Sequence, residues 1–386
     1  MEQNIQNKGS GDLMIYLDYA ANTPVDEEVL NTYYEESRQA LANPNSKHRL
    51  GLQAKERLEG ITADIAGLLK VKPSQIIYTS GASEANNLAI KGLAHANRRN
   101  GKHIISTCLE HPSVSGALTY LQSQGYEIDL VELTKEGLID LGHLRELLRK
   151  DTILVSVCTV DSELGIMQQI TEIYALLKDY PNCRFHTDAT QAVGKIDFDM
   201  EDADCITFAP HKFFGLNSSG FLIKKENIVL EPLIHGGSST TLYRSGTPDL
   251  AMVAAARKAL ELALGKFKDR YSTIAGMNAL LKQKLSAYQK VRFNSTGHSI
   301  PHILNVSVRG VKAVQFTQAL EEEGICVSVK SACSVPNSPS RPVYAITKDK
   351  QNAMSSWRIS LSHLTTEEEL NGFLKAFDAC YQRLAK

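Results

Sequence analysis

The stretch at residues 184–215 reads RFHTDATQAVGKIDFDMEDADCITFAPHKFFG and contains two short β-rich runs, 184–190 and 204–210. Stretches of helical periodicity separate several similar runs elsewhere. These runs are QIIYTS (75–80), HIISTCLE (103–110), TILVSVCTV (152–160) and GFLIKK (220–225). Because apolar strands that alternate with helices form parallel sheets covered on both faces, the sequence predicts an α/β domain with a mainly parallel sheet. Ligands of such sheets bind at the carboxyl ends of the strands.

The pattern changes after about residue 255. A long helical stretch (249–290) leads into a strand at 303–310, a helix near 313–323 and a further run at 325–333. A strand at 356–362 then precedes a C-terminal helix. We therefore predict a large domain over residues 25–255, and a smaller α+β domain formed by residues 1–24 and 256–386.

The composition is that of an ordinary soluble globular protein, with 43% hydrophobic and 22% charged residues. A net charge of −1 argues against nucleic-acid binding through bulk charge. The sequence contains no run of eighteen apolar residues, so a membrane span is not expected. The N-terminus lacks the apolar region of a signal peptide. The seven cysteines are scattered without a C-x-x-C motif, which predicts a cytoplasmic protein without a disulfide framework or a metal site.

The segment YTSGASEANNLAIKG (78–92) has the pattern of a strand, a Gly-Ala turn and a helix, with Ser83 predicted at the N-cap. The N-terminus of a helix directs backbone N–H groups and the positive end of its dipole at an anion, commonly phosphate. A serine followed by glutamate at this place is also the ordinary signature of a helix cap. The segment is therefore a candidate phosphate site.

Two further residues follow predicted strands. Asp188 ends one strand, where it is either a turn former or a carboxylate that holds a proton on a ring nitrogen. Lys212, preceded by His211, lies just beyond the next strand, and a lysine in apolar surroundings can act as a nucleophilic amine. A phosphate cradle, a carboxylate and a lysine are the groups that hold pyridoxal 5′-phosphate (PLP), with the lysine as its Schiff-base partner.

The chain resembles the class I (NifS/IscS-type) cysteine desulfurases, which are PLP enzymes of fold type I. The resemblance extends from IYLDYAANTPVDEEV (15–29) to WRISLSHLTTEEE (357–369). The matching blocks between them are NPNSKHRLG (43–51), YTSGASEANNLAIKG (78–92), LEHPSV (109–114), TVDSELGIMQ (159–168), HTDATQAVGK (186–195), APHKFFG (209–215), YRSGTPDL (243–250) and KSAC (330–333). The resemblance implies a large domain with a mainly parallel seven-stranded sheet between helices, and a smaller α+β domain.

The resemblance also implies roles for individual residues. Lys212 would bind PLP covalently and move protons at the substrate α-carbon, and His111 would stack on the PLP ring and act as an acid or base. Asp188 would pair with the pyridine nitrogen and Gln191 with the phenolic oxygen. Cys333 would attack the substrate sulfur and carry it as a persulfide, so that L-cysteine becomes L-alanine.

Other implied contacts concern the phosphate and the substrate carboxylate. Ala82, Ser83 and His211 would hold the PLP phosphate. Thr247 would reach the phosphate of the neighbouring subunit, which makes a homodimer with a shared active site part of the prediction. Arg358 would bind the substrate α-carboxylate with its planar fork. The persulfide sulfur would pass to an acceptor protein, either an iron–sulfur scaffold or an enzyme of thio-cofactor or tRNA thiolation.

The sequence departs from the family pattern at several positions. Ala209 replaces the usual serine, and Ser162, preceded by Asp161, replaces the usual asparagine near the cofactor oxygen and the substrate carboxylate. The segments GLNSSG (215–220) and SHLT (362–365) replace the usual Pro-Lys-Gly and GRFT sequences. These departures indicate a divergent branch of the family.

Two alternative functions therefore stay open. One is another PLP reaction on the same scaffold, either selenocysteine lysis or a cysteine or cystine C–S lysis without an enzyme thiol. The other, suggested by Ala209 and Ser162, is a catalytically weak paralogue that serves as a binding subunit.

The run SVPNSPSRP after Cys333 predicts a loop over about 333–342 that moves as a unit, because its prolines exclude helix and stiffen the chain.

Overall fold

The computed structural model describes residues 14–330 and 338–385. Its strands are β1 Ile15–Tyr16, β2 Ile76–Thr79, β3 His103–Ser106, β4 Glu127–Leu130, β5 Thr152–Ser156, β6 Arg184–Asp188, β7 Cys205–Phe208, β8 Gly220–Lys224, β9 Val291–Phe293, β10 Ile303–Val308, β11 Ile325–Cys326 and β12 Ser356–Ser360. Its α-helices are α1 Glu27–Gln39, α2 Arg49–Leu69, α3 Ala82–Ala96, α4 Pro112–Ser123, α5 Leu141–Leu147, α6 Ile170–Leu177, α7 Leu250–Leu285, α8 Ala313–Glu322, α9 Arg341–Thr347, α10 Lys350–Ser355 and α11 Glu367–Leu384.

Seven strands form one sheet in the order β2-β8-β7-β6-β5-β3-β4. The pairs from β7 to β4 are parallel, whereas β8 runs antiparallel to both of its neighbours. The predicted mainly parallel sheet is thus confirmed, and each of the six predicted runs contains one of its strands. The edge strand β4 was not predicted, because its sequence EIDL mixes charged and apolar residues and is partly exposed.

Alternate residues of these strands enter two hydrophobic clusters, as expected when successive side chains point to opposite faces. Ile76 and Ile223 belong to the cluster that includes residues of α1, α2, α6 and α7. Ile77 and Leu222 belong to the cluster that includes residues of α3 and α4. Helices therefore cover both faces of the sheet.

A second core surrounds the antiparallel sheet β12-β10-β9 and the parallel pair β1-β11. The helix α7 contributes to both cores: its early residues, such as Val253, pack in the first, and Leu281 packs in the second. The predicted domain boundary between residues 255 and 256 falls inside this helix and stays a prediction. No helix in the described ranges 14–330 and 338–385 is long and apolar enough to cross a membrane.

The predicted loop over 333–342 is wrong at its C-terminal end. Helix α9 begins at Arg341, and the Oγ of its N-cap residue Ser340 accepts a hydrogen bond from the Val343 N–H. Pro342 lies in the first turn of α9, where the missing N–H removes no helical hydrogen bond. Cys333 lies outside the described residues.

Candidate active site

A cavity of about 390 Å³ lies at the carboxyl ends of the parallel strands. Nine of the predicted site residues line it: Ala82, Ser83, His111, Ser162, Asp188, Gln191, His211, Lys212 and Arg358. Thr247 is exposed and does not line the cavity. The structure thus brings together residues that are far apart in the sequence, while their individual roles stay predictions.

Lys212 lies in a short 3₁₀ turn, Pro210–Lys212, that follows strand β7. Its Nζ donates hydrogen bonds to the carbonyl oxygens of Ala20, at 2.9 Å, and Ala21, at 2.5 Å. These carbonyls belong to the segment that follows β1, so the N-terminal part of the chain completes the lysine's surroundings. This contact was not predicted, because main-chain carbonyls leave no signal in residue types.

The Asp188 carboxylate ends strand β6 and is held by two donors. Oδ1 accepts from the Thr190 N–H at 2.9 Å, and Oδ2 accepts from the Asn86 side-chain amide at 2.8 Å. Asn86 is fully buried on α3, donates also to Ser113 and accepts from Thr207. Asn86 therefore orients the carboxylate, and the only sequence signal for it is an amide residue within a mostly apolar helical run.

His111 is the N-cap of α4. Its Nδ1 accepts a hydrogen bond from the Ser113 N–H at 3.1 Å and lies 2.8 Å from the Ser113 Oγ. Burial lowers the pKa of His111, and Lys212 adds to this effect while Asp188 opposes it. Because Nδ1 accepts, the neutral ring carries its proton on Nε2. His111 can therefore donate one hydrogen bond or proton from Nε2.

The N-terminus of α3 differs from the prediction in one respect. Gly81 is the N-cap, and Ser83 is the second residue of the helix. Gly81 has a φ of +156°, a conformation that residues with a side chain rarely adopt, and therefore glycine takes the cap in place of serine. The first N–H groups of a helix have no partner within the helix, so those at Ala82 and Ser83 fit an anion.

Gly220 opens strand β8 opposite Thr79 and lies against the Gly81 turn. A Cβ atom at Gly220 would overlap the backbone of Gly81. We expect Gly220→Ala to displace the turn, to lower the free energy of unfolding by roughly 1–3 kcal/mol, and to weaken anion binding at α3. Urea unfolding and phosphate titration measure the two effects.

The matched control is Gly60→Ala, inside helix α2, where an added Cβ meets no atom within 4 Å. That change is expected to stabilise the protein by about 0.5–1 kcal/mol, because alanine favours helix over glycine. Equal stability of Gly220→Ala and the unchanged protein would contradict the proposed close approach.

Arg358 lies on β12 and is 1% exposed. Its Nη1 donates to the Ser162 carbonyl at 2.5 Å and its Nη2 to the Asp18 carboxylate at 2.7 Å. The other oxygen of Asp18 accepts from the Ser328 hydroxyl at 2.6 Å. Asp18 was not predicted as a site residue, and it fixes the orientation of the guanidinium.

The position of the Ser162 carbonyl depends on its neighbour Asp161. The buried Asp161 carboxylate accepts hydrogen bonds from the N–H groups of Glu163, Leu164 and Ile166 at 2.8–2.9 Å. Burial raises the pKa of Asp161, while these N–H groups oppose the rise. Asp161 therefore stabilises a turn whose Ser162 carbonyl accepts a hydrogen bond from Arg358.

Comparison with known proteins gives consistent matches over nearly the whole chain. The profile of the family described as Aminotransferase class-V matches residues 15–373. A "NifS/IcsS protein homolog" from Lactobacillus delbrueckii subsp. bulgaricus is 37% identical, over 97% of this chain and 98% of the relative. The "Cysteine desulfurase, mitochondrial" of Saccharomyces cerevisiae is 35% identical, over 96% of this chain and 76% of the relative.

Solved structures are similar as well. A "NIFS-LIKE PROTEIN" superposes with a TM-score of 0.90 at 29% identity, covering 96% of this chain and all of the other. The structure "SspA in complex with cysteine" superposes with a TM-score of 0.78 at 30% identity, covering 90% of this chain and 98% of the other.

Proposed function

Because the chain belongs to the aminotransferase class-V family, we propose that it is a PLP-dependent cysteine desulfurase that converts L-cysteine to L-alanine and transfers the sulfur to its own Cys333. Relatives named cysteine desulfurase are 33–36% identical over more than nine-tenths of this chain. The observation that carries the proposal is the meeting of Lys212, Asp188 and the N-terminus of α3 at one cavity.

The residues of the cavity fit PLP. Its volume of about 390 Å³ is within the range of small-molecule sites, roughly 300–1,000 Å³. Lys212 supplies the amine, Asp188 an oriented carboxylate for the pyridine nitrogen, and the α3 N-terminus with His211 the phosphate site. Burial, with a further contribution from Lys212, lowers the pKa of His211 to about 4, so that its ring is neutral and donates one N–H. When bound, PLP supplies the electron sink that allows bonds at the substrate carbons to break.

The protein's own groups would then act on the substrate. Arg358, held by Asp18 and the Ser162 carbonyl, would bind the α-carboxylate. Lys212 would move a proton at the α-carbon, and His111 would donate from Nε2.

The Cys333 thiolate would form an S–S bond with the substrate sulfur as the Cβ–S bond breaks. The electron pair of the broken bond stays with the carbon, which takes up a proton to become the methyl group of alanine. Only the thiolate is nucleophilic, so the thiol proton leaves first.

A homodimer is part of this proposal. Thr247 is exposed, as a contact to the neighbouring subunit's phosphate requires. Large apolar side chains are exposed in nearby parts of the sequence, at Leu233, Ile234 and Leu242.

The sulfur acceptor would be a second protein, either an iron–sulfur scaffold or a thiolation enzyme. The scattered cysteines favour the cytoplasm as the place of action.

Cys333→Ala tests the persulfide step. We expect the variant to retain the visible absorbance of lysine-bound PLP and to lose alanine production to background, because the sulfur has no acceptor thiol. Mass spectrometry of the unchanged enzyme after incubation with L-cysteine is expected to show one added sulfur atom on Cys333.

Cys326→Ala is the control, since Cys326 lies on β11 outside the cavity and is expected to be dispensable. Undiminished turnover of Cys333→Ala would instead support C–S lysis without an enzyme thiol. Absence of the visible band from the unchanged protein, even after addition of PLP, would support the binding-subunit alternative.

A further inference from the structure

The side-chain amide of Gln191 is held at both ends. Its Nε2 donates to the Ala20 carbonyl at 2.8 Å, and its Oε1 accepts from the Lys195 Nζ at 2.5 Å. A main-chain carbonyl can only accept, so the atom that faces Ala20 must be the amide nitrogen. The orientation of the amide is therefore set by its surroundings. Its NH₂ group keeps a second hydrogen, and Gln191 lines the cavity.

Local structure brings Lys195 to Gln191. The N–H groups of Val193 and Lys195 donate to the carbonyls of Ala189 and Ala192, so consecutive turns follow β6. Gly194, with a φ of +75°, lies within these turns, which bring the Lys195 Nζ to the Gln191 Oε1. Both side chains are buried, with Gln191 4% and Lys195 8% exposed.

The charged and titratable groups that face Lys195 are Lys212, Arg358, His211 and His302. Burial lowers the pKa of Lys195 to about 7, and Lys212 and Arg358 contribute to the decrease. A lysine in such a place needs a polar partner, because an ammonium group loses its hydration on burial. The Gln191 carbonyl oxygen supplies that partner.

We propose that Lys195 is a positioning residue that fixes Gln191 with its NH₂ group toward the cavity, so that the phenolic oxygen of PLP receives a hydrogen-bond donor. This inference rests on the proposed function. A donor to that oxygen withdraws electron density from it and weakens its hold on the proton of the neighbouring lysine–cofactor linkage. Without Lys195 only the contact with the Ala20 carbonyl holds the amide. The side chain is then free to shift, and a weaker or lost donor to the phenolic oxygen strengthens that hold.

The test is a pH titration of the visible absorbance band of the holoenzyme without substrate. We expect Lys195→Met to raise the pKa of the band by about one unit, the size of one hydrogen bond. Lys224→Met is the matched control, since Lys224 is also buried, at 3% exposed, but lies on β8 and donates to the Lys225 carbonyl outside the cavity. The control is expected to titrate like the unchanged enzyme.

A second pair of variants distinguishes an effect of Lys195 through Gln191 from a direct effect of the Lys195 charge on the pKa of the band. Gln191→Ala is expected to raise the pKa of the band by itself, and adding Lys195→Met to it is expected to cause no further shift. An equal shift in both backgrounds, or none in Lys195→Met alone, overturns the inference.

Lys195→Arg keeps a donor for the Gln191 oxygen, and its visible band is expected to titrate like that of the unchanged enzyme. This variant tests the inference if Lys195→Met does not fold. A shift in the arginine variant as large as that of Gln191→Ala also overturns the inference. Failure of the unchanged protein to form a visible band with PLP contradicts the proposed function instead.

Discussion

Lys212→Ala is expected to abolish the visible absorbance of lysine-bound PLP and to reduce alanine production from L-cysteine to background. The lysine is proposed both to attach the cofactor and to move the proton at the substrate α-carbon. Acid–base catalysis alone contributes roughly 10²–10⁴-fold to an enzyme rate, so the combined loss is expected to exceed ~10³-fold. Absorbance spectra and an alanine assay measure the two losses.

Lys212→Arg distinguishes the loss of the covalent link to PLP from the loss of the contacts that Lys212 makes within the protein. The guanidinium keeps the positive charge and donors for the carbonyls of Ala20 and Ala21, which Lys212 contacts, but it does not form the covalent linkage. We expect Lys212→Arg to be as stable as the unchanged protein and as inactive as the alanine variant. A visible band in either variant would show that another amine holds the cofactor.

The second large effect is expected from Arg358→Ala. Truncating one partner of a buried charged pair costs about 2–5 kcal/mol, and each 1.4 kcal/mol is a factor of ten. The kcat/KM for L-cysteine is therefore expected to fall by roughly 10²-fold or more, chiefly through KM, while the visible PLP band remains. Cysteamine, which lacks the carboxylate, is expected to react equally slowly with both enzymes.

The same change leaves the Asp18 carboxylate without its guanidinium, which lowers stability independently of substrate binding. The double variant Arg358→Ala/Asp18→Asn removes that carboxylate charge. It is expected to recover the free energy of unfolding but not kcat/KM. Recovery of both would mean that Arg358 has a structural role only.

Two of the predicted site residues that line the cavity end or follow strands. Asp188 and Lys212 end or follow apolar runs, and the parallel sheet brings such ends to one edge, so the sequence pattern alone indicated their proximity. The resemblance to cysteine desulfurases added Gln191 and Arg358, which no periodicity distinguishes from ordinary surface or turn residues.

The residues that were missed act through contacts between distant parts of the chain. Asp18 and Arg358 are 340 residues apart, and Asn86 and Asp188 are 102 apart. A single sequence contains no signal for such pairs. Ser83 was misassigned as the N-cap because the cap rule reads side-chain types, whereas the backbone conformation at this turn requires Gly81.

The N-terminal segment is held by residues close to the other end of the described chain, so the site is completed late in synthesis. The Leu17 N–H bonds the Cys326 carbonyl, and the Ala20 N–H bonds the Ser360 hydroxyl. Ala20 in turn accepts from Lys212 and Gln191. Translation makes the N-terminal residues first. Leu17 and Ala20 can therefore form these hydrogen bonds only after Cys326 and Ser360 have been synthesised. Nascent chains that end before residue 325 therefore lack Cys326 and Ser360, the residues that bond the N–H groups of Leu17 and Ala20.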